Sequence, residues 1–354
     1  MVSETTVSEG TTNPASGPRG PGASHSVTDL LERTDALMRA GLTPGATVWP
    51  TGFDPLDSLL RGGCRSGELV LLAGSQGQGK TTFGLQLLRS AVTSGKSGVF
   101  FSFEHESTTL LERLLAMEAA YAAELAGDGA LPVDVARVRK VFEEVGHEGR
   151  PLAEALDGLP HAIGGLRAVE AYGSLLHVHE STPLTDVEVM TSVIAEVADE
   201  CGEAPIVLVD YLQKIPGAGV DEVERTTAVV EALKDLALEI GVPVVAISAA
   251  EKEHLGAGRR MRAEHLRGSS ALAYESDVVL VLSDKADIVS REHLVYDLTS
   301  MQRYRQWAVV TVEKNRHGED HVELEFRKDF AHGRFDPVGG LVQERLIEER
   351  VFRT

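Results

Sequence analysis

The fold is decided by a stretch that runs Leu69-Val70-Leu71-Leu72-Ala73-Gly74-Ser75-Gln76-Gly77-Gln78-Gly79-Lys80-Thr81-Thr82. Its apolar start predicts a buried strand, and residues 74–81 match the G-x-x-x-x-G-K-[ST] pattern of a loop that precedes a helix, here beginning near Lys80. Glycines in such a loop let backbone N–H groups converge on phosphates, and the lysine reaches the β- and γ-phosphates. Residues 74–82 are therefore predicted to bind a nucleotide.

Further apolar runs alternate with helix-like stretches on the carboxyl side of this loop. They occupy residues 99–101, 175–178, 206–209, 242–247 and 278–282. Short continuous apolar runs joined by amphipathic helices predict a mostly parallel sheet covered on both faces, which is the α/β class. Residues 309–312 and 322–326, separated by Asn315-Arg316-His317-Gly318, predict instead a late β-hairpin.

Composition divides the chain into segments. Residues 1–26 are rich in Ser, Thr, Gly and Pro and predict a disordered tail. Residues 27–41 predict a short helix with Thr28 as its cap. The core is predicted over residues 42–340, with an Ala-, Glu- and Leu-rich helical insertion at 114–172, and residues 341–354 are interpreted as a C-terminal tail.

Charge and cysteine content exclude several classes of protein. The 354 residues carry a formal net charge of −20, which argues against a protein that coats nucleic acid generally. With two cysteines, neither a disulfide scaffold nor a zinc site with four cysteines is possible. The sequence has neither an apolar run long enough to cross a bilayer nor a secretory signal, so we expect a cytoplasmic protein without a membrane partner.

Two strand ends carry acids suited to nucleotide chemistry. Asp210 follows the run 206–209 and is predicted to act with the Thr81 hydroxyl at a Mg²⁺ site; the alternative is an aspartate that only caps the next turn. Glu104 follows Phe101-Ser102-Phe103 and is the candidate that orients or deprotonates water. Glu106 is the competing candidate, because the alternation beyond Phe103 is ambiguous.

The order of these motifs resembles the C-terminal, RecA-like motor domain of DnaB-type replicative helicases. The segments that carry the resemblance are T-G-F-D-P-L-D at 51–57, F-S-F-E at 101–104, V-D-Y-L-Q at 209–213, L-R-G-S-S-A-L at 266–272 followed by S-D-V-V at 276–279, and K-N-R-H-G at 314–318. Together they extend from Gly52 to about Asp336, and their order is more specific than any one of them.

The resemblance implies a homo-hexameric ring that hydrolyses ATP with Mg²⁺ at sites between subunits. Lys80 and Glu104 would act within one subunit, while Arg316, with Lys314, would stabilise the transferring phosphoryl group in the adjacent subunit's site. The alternative for Lys314 and Arg316 is a charged hairpin tip without a catalytic role.

The family's central channel binds single-stranded DNA, and the corresponding region here lies between Ser248 and Arg267. Its basic residues, the candidate DNA contacts, are Lys252, Arg259, Arg260, Arg262 and Arg267. They outnumber the acidic residues there by two in a chain of charge −20, which favours phosphate contacts. A solvated loop without a ligand is the alternative, because stacking aromatic residues are absent from it.

Two departures from the family bear on function. Ala249 stands where the family has a glutamine that senses the γ-phosphate and relays it to DNA. The stretch before residue 51 is too short for the family's N-terminal collar and primase-binding domain, so we expect a motor without one; helix 27–41 resembles the linker helix that docks on the neighbouring subunit. We therefore expect a DnaB-like ATPase motor with DNA helicase activity, or alternatively a RecA-like ATPase switch that acts on a replication or regulatory protein without translocation.

Overall fold

The computed structural model describes residues 24–41, 45–145, 149–249, 260–266, 270–290 and 298–347. The chain divides into two units, Met1–Gly45 and Ala46–Thr354. Most of the predicted disordered tail, residues 1–23, lies outside the described residues.

The first unit contains helix α1, Val27–Arg39. Its N-cap is Ser26, whose hydroxyl accepts a hydrogen bond of 3.0 Å from the backbone N–H of Asp29. The Asp29 carboxylate in turn accepts one of 3.3 Å from the Ser26 N–H, which completes a capping box. The predicted cap at Thr28 is therefore wrong, because Thr28 lies inside the first turn. No residue of α1 is buried.

The second unit consists of strands and helices that alternate through most of its length. Its strands are β1 (Val48–Trp49), β2 (Cys64–Arg65), β3 (Leu69–Gly74), β4 (Gly98–Ser102), β5 (Leu176–Glu180), β6 (Ile206–Asp210), β7 (Val244–Ser248), β8 (Val278–Asp284), β9 (Trp307–Asn315), β10 (Val322–Asp329), β11 (Arg334–Phe335) and β12 (Gly340–Leu341). Its helices are α2 (Asp54–Leu59), α3 (Lys80–Thr93), α4 (Ser107–Ala126), α5 (Val135–Val145), α6 (Leu152–Leu156), α7 (Ala162–Tyr172), α8 (Val187–Cys201), α9 (Glu222–Ile240), α10 (Ser270–Glu275), α11 (Lys285–Ile288) and α12 (Leu298–Tyr304).

One large sheet organises this unit, in the order β11-β10-β9-β8-β3-β7-β6-β4-β5, with β12 paired to β10. The strands from β8 to β5 are parallel, and β9 and β10 form an antiparallel hairpin beside them. The predicted α/β class, mostly parallel sheet and late hairpin are confirmed. Because β3, β4, β6 and β7 are parallel, their carboxyl ends meet at one edge, which we call the carboxyl edge.

Both faces of the sheet are buried, which is why its strands are apolar without alternation. Val70 and Leu72 face one side and pack in a core with Phe83 of α3, whereas Leu69 and Leu71 face the other and pack with Leu233 of α9. All are at most 1% exposed. Burying one such side chain contributes about 1.5–3 kcal/mol, so the two cores hold the strand ends in fixed positions.

Helices α4 to α7 follow β4 and enclose a core of their own. It includes Leu115, Val138 and Leu166. Gly165 permits the close approach of α7 to α4, because a Cβ there would lie 2.8 Å from the carbonyl oxygen of Leu115. The predicted insertion starts at residue 114, but α4 runs unbroken from Ser107, so that boundary has no counterpart in the structure.

The segment at the end of the described chain packs on the sheet and does not extend away from it. Strand β12 pairs with β10, and Leu346 forms a β-bridge with Val289. The buried Lys285 ammonium forms an ion pair of 2.6 Å with Glu344. The interpretation of residues 341–354 as a tail is therefore wrong for residues 341–347; residues 348–354 lie outside the described residues.

Candidate active site

The phosphate loop joins the end of β3 to the start of α3 at the carboxyl edge. Gly74 and Gly79 have φ values of 155° and 91°, conformations that favour glycine. A Cβ on Gly74 would lie 2.5 Å from the carbonyl oxygen of Leu282, and one on Gly79 would lie 2.7 Å from the Phe330 ring. Glycine is thus required at both ends of the loop by its neighbours as well as by its backbone.

Lys80 begins α3 and its side chain folds over the loop. Its Nζ donates hydrogen bonds to the carbonyl oxygens of Gly74 at 2.8 Å and Ser75 at 3.0 Å. Burial lowers the pKa of the Lys80 ammonium, while the carboxylates of Asp210 and Glu104 oppose that effect. The ammonium therefore lies in a partly desolvated place where an anionic ligand would replace lost hydration.

Asp210 ends β6 two strands away from the loop and is 2% exposed. Its Oδ2 accepts a hydrogen bond of 2.5 Å from the Thr81 hydroxyl. The pKa of Asp210 is raised to about 6, chiefly by burial. The hydrogen bond from Thr81 opposes this rise, and the nearby Glu104 carboxylate adds to it. The structure thus joins the two residues that the sequence predicted as metal-side groups.

Glu104, and not Glu106, faces the cleft at the phosphate loop. The carboxylates of Glu104 and Asp210 and a ring nitrogen of His105 each offer an atom within 4.8 Å of the others. Glu106 is exposed and serves as the N-cap position of α4. The geometry therefore favours the first of the two candidate acids.

These groups line a cleft of about 610 Å³, a volume typical of small-molecule sites. The lining residues are Gly74, Gln76, Gly77, Gly79, Lys80, Thr81, Thr82, Glu104, His105, Arg113, Val135, Arg139, Asp210, Tyr211, Ile247, Ala249, Phe330 and Gly333. Ser75 and Gln78 belong to the predicted loop without lining the cleft.

Several lining residues were missed by sequence reasoning. Arg113 comes from α4 and Arg139 from α5, both in the helical segment, where no motif marks them. Burial lowers the pKa of Arg113, and Asp210 opposes that effect. Arg139 forms an ion pair of 2.9 Å with Glu112. Only the packing of the helices against the carboxyl edge brings these cations to the cleft.

Ala249 lines the cleft at the end of β7. Its backbone N–H donates a hydrogen bond of 3.1 Å to Oε1 of Gln213, whose Nε2 donates one of 3.0 Å to the Ser248 hydroxyl. Gln213 follows Asp210 in the V-D-Y-L-Q motif. Gln213 therefore holds the backbone of Ala249 in place beside the cleft.

Lys314 and Arg316 lie at the opposite edge of the sheet. Strand β9 runs antiparallel to β8, and Asn315 pairs with Val278, the first residue of β8. The Lys314 Nζ donates hydrogen bonds of 2.8 and 2.6 Å to the carbonyl oxygens of Ala273 and Ser276. Burial lowers the pKa of Lys314, and the neighbouring Arg316 lowers it further. Neither residue reaches the phosphate loop of its own chain.

Two of the predicted DNA contacts form ion pairs within the protein. Arg260 is 5% exposed, donates a hydrogen bond of 3.2 Å to the Thr311 hydroxyl and forms an ion pair with Glu323. Arg262 forms an ion pair of 2.7 Å with Glu313. The prediction of Arg260 as a DNA contact is therefore wrong, because its guanidinium is buried and bound to an acid of the β9–β10 hairpin. The Arg262 side chain is 23% exposed despite its ion pair, so its role as a DNA contact stays a prediction.

The other three candidate DNA contacts, Lys252, Arg259 and Arg267, lie outside the described residues. Among the helices of the described ranges, none combines the length and apolar character that a membrane crossing needs.

A phosphate loop after the central strand β3, with Asp210 at the end of β6, defines a RecA-like fold of the P-loop nucleotide-binding class. The particular family follows from comparison: the model of the DnaB-like helicase C terminal domain matches residues 49–335, and the chain belongs to this family.

Known proteins agree with this assignment. The chain is 29% identical over 255 residues to the replicative DNA helicase DnaB of Nostoc sp., covering 71% of this chain and 25% of that protein. The chain thus spans about a quarter of this curated relative. A solved DnaB-like replicative helicase, described with its interactions with primase, has a TM-score of 0.62 at 18% identity over 88% of this chain and 67% of that one. A KaiC-like protein from Pyrococcus horikoshii OT3 has a TM-score of 0.51 at 16% identity, covering 83% of this chain and 99% of the other.

Proposed function

We propose that this chain hydrolyses ATP as a subunit of a DnaB-like ring that moves along single-stranded DNA and unwinds duplex DNA. The observation that carries the proposal is the division of charged groups between the two edges of one sheet. Lys80, Thr81, Glu104 and Asp210 lie at the carboxyl edge, while Arg316 lies at the other. A single copy cannot bring these groups together, but adjacent copies in a ring, a hexamer in the family, can.

The residues at the carboxyl edge fit a magnesium ion. Mg²⁺ prefers oxygen ligands, and here a threonine hydroxyl and a buried carboxylate lie side by side where a phosphate loop ends. Thr81 and Asp210 would hold the ion together with the nucleotide phosphates. When bound, Mg²⁺ neutralises charge on the β- and γ-phosphates.

Lys80 and Glu104 supply the other roles of the same subunit. The ammonium of Lys80 would bind the terminal phosphates, exchanging its bonds to Gly74 and Ser75 for phosphate oxygens. The exposed Glu104 carboxylate would orient the attacking water and accept its proton, a role that contributes typically 10²–10⁴-fold to rate. Both act near the backbone N–H groups of the loop.

Arg316 would complete the site of the adjacent subunit. Its planar guanidinium can neutralise charge that develops on the transferring phosphoryl group, and an arginine supplied in trans is worth roughly 10³–10⁵ in kcat. Its side chain is 45% exposed, so it is accessible to another copy. Lys314 would assist Arg316 without contacting the nucleotide, because its Nζ already donates to carbonyl oxygens at the end of α10.

DNA binding would depend on the basic residues between Ser248 and Arg267. Lys252, Arg259, Arg262 and Arg267 remain candidates, whereas Arg260 is buried in its ion pair with Glu323. Contacts of lysine and arginine to phosphates carry no sequence preference. The exposed helix α1 would dock on a neighbouring subunit, and a replication or regulatory protein would recruit the ring in the cytoplasm.

Ala249 favours a second candidate function, a RecA-like ATPase switch that acts on a protein partner without translocation. A methyl group cannot donate or accept a hydrogen bond, so the γ-phosphate would not be sensed at this position as in the family. The net charge of −20 also favours a protein partner, because an acidic chain repels DNA.

The experiment that separates the two functions is steady-state ATP hydrolysis by the full chain, titrated with single-stranded DNA at low and high salt, with Lys80→Ala as the inactive control. Stimulation that fades as salt rises supports the motor, because phosphate contacts are salt-dependent. A rate indifferent to DNA supports the switch.

A mixing experiment tests the shared site. Lys80→Ala and Arg316→Ala should each be inactive alone. In a mixed ring, an Arg316→Ala subunit supplies an intact phosphate loop and a neighbouring Lys80→Ala subunit supplies an intact arginine. Such junctions make up about a quarter of all junctions in an equal mixture. Activity should therefore reappear on mixing, and continued inactivity argues against a trans arginine.

A further inference from the structure

We infer that Asp277 is the positioning residue of Arg316: it aims the guanidinium that acts in the adjacent subunit's site. The inference rests on the proposed trans role of Arg316 and extends it to a residue that itself would touch neither nucleotide nor water. Asp277 lies immediately before β8, at the edge of the sheet opposite the phosphate loop.

The evidence is the set of hydrogen bonds that converge on this carboxylate. Asp277 is 4% exposed. Its Oδ2 accepts hydrogen bonds from the backbone N–H of Leu69 at 2.8 Å and from Nζ of Lys234 at 2.7 Å. Its Oδ1 accepts one from Nη1 of Arg316 at 3.2 Å. Leu69 belongs to β3, the strand that precedes the phosphate loop, and Lys234 belongs to α9. A buried carboxylate that both elements bind is a rigid anchor for the arginine.

Arg316 is held at three points, and two of them belong to Asp277. Its backbone N–H donates a hydrogen bond of 3.0 Å to the Asp277 carbonyl oxygen, besides the contact of its Nη1 with the carboxylate. Its Nη2 donates one of 3.1 Å to the carbonyl oxygen of Tyr274. The side-chain contacts use one N–H of each terminal nitrogen, and the half-exposed guanidinium retains other N–H groups for an anionic ligand.

The chemistry of the anchor requires a carboxylate. Oδ1 and Oδ2 accept hydrogen bonds from three donors: a backbone amide, an ammonium and a guanidinium. An asparagine keeps the size but presents an NH₂ group to at least one of these donors, and it removes the charge that pairs with Lys234 and Arg316. Asp277→Asn therefore releases or redirects the arginine. Loss of positioning of this kind lowers kcat by up to about 10²-fold.

Asp277 also joins β3 to α9, so a variant could act by loosening the fold. Lys234→Met is the matched control, because it removes one donor from Asp277 together with its bond of 2.8 Å to the Gly67 carbonyl oxygen, while it leaves Arg316 on the carboxylate. Lys234→Met should lower the melting temperature, but because Leu69 and Arg316 still bind the carboxylate, it should lower kcat per folded subunit much less than Asp277→Asn does.

The test is a mixing experiment with full-length subunits. Asp277→Asn alone should lower kcat by about 10- to 100-fold and keep the KM for ATP within about threefold, because its own phosphate loop is intact. ADP affinity, measured by titration calorimetry, should equal that of the wild type. Mixing with Lys80→Ala should raise the activity, because junctions then form between an intact loop and a correctly aimed arginine.

Each outcome is decisive. If Arg316→Ala is complemented by Lys80→Ala but Asp277→Asn is not, or if Asp277→Asn weakens ADP binding, the positioning role is overturned. If Arg316→Ala is not complemented either, the proposed shared site itself fails. Should Asp277→Asn not fold, Asp277→Glu keeps the charge and displaces the carboxylate by one methylene; it should show the same complementation with a smaller loss, and a wild-type kcat for it also overturns the role.

Discussion

The hydroxyl of Thr81 donates a 2.5 Å hydrogen bond to the Asp210 carboxylate, although 129 residues separate the two in the chain. The bond joins the start of α3, which follows β3, to the end of β6, and β3 and β6 are the two neighbours of β7 in the sheet. The metal-side groups are therefore set by the packing of the parallel strands, because Asp210 ends the buried strand β6 and Thr81 follows the loop that leaves the buried strand β3.

Asp210→Asn should remove ATP hydrolysis while the fold persists. An amide of the same size can still contact Thr81, but it carries no charge to hold a Mg²⁺–nucleotide complex. We expect kcat to fall by at least about 10²-fold, with a raised Mg²⁺ requirement in ATPase titrations. Glu180→Gln is the matched control, because Glu180 also ends a strand of this sheet but is exposed and binds Ser107. Equal losses in both variants would contradict the assignment.

Glu104→Gln and Glu106→Gln should differ strongly. The first changes a carboxylate in the cleft and should lower kcat by about 10²–10⁴-fold while ATP still binds. The second changes an exposed N-cap position and should leave kcat within about twofold. Single-turnover hydrolysis with pre-bound ATP separates chemistry from binding. A larger loss in Glu106→Gln would make it the water-orienting acid instead.

Gly79→Ala should destabilise the fold more than Gly77→Ala. Both glycines have positive φ, of 91° and 81°, and alanine costs about 1–2 kcal/mol in such a conformation. At Gly79 the new Cβ also lies within 3.0 Å of both Phe330 and Phe335, whereas at Gly77 nothing lies within 4 Å. Thermal unfolding without nucleotide measures the difference. Equal melting temperatures would mean that the aromatic pair moves aside without cost.

The local sequence predicted those site residues that stand at or just after the ends of strands. Lys80, Thr81, Glu104 and Asp210 each stand directly after an apolar run or within a glycine-rich loop, so a parallel sheet brings them to one edge whatever the helices do. Arg113 lies within a helix that packs over this edge, and nothing in its neighbours along the chain marks it.

Contacts between residues that are distant in the chain also explain the errors at Arg260 and at the C-terminal segment. A count of basic residues between Ser248 and Arg267 predicts charge, but it does not predict that Glu323 of β10 receives Arg260. Likewise, polar residues beyond 340 suggest a tail, while the partner of Glu344 is a buried lysine 59 positions earlier, Lys285. Both partners are distant in sequence, so pattern alone cannot find them.

Arg260→Ala should therefore act on stability and not on DNA. Removing the guanidinium leaves the Glu323 carboxylate without its partner, and because that side chain is 28% exposed and water relieves part of the cost, we expect a loss of about 2–3 kcal/mol in the free energy of unfolding. Glu323→Gln should produce a comparable loss, and the double variant should lose less than the sum, since the two share one interaction.

In DNA-binding titrations across salt concentrations, Arg260→Ala should keep the salt dependence of the wild type once compared at equal folded fraction. Arg259→Ala should instead reduce the slope of log K against log salt by about 0.7, the value for one phosphate contact to a single strand. A reduced slope in Arg260→Ala with an unchanged melting temperature would return Arg260 to the DNA contacts, because a buried ion pair cannot be removed without a change in stability.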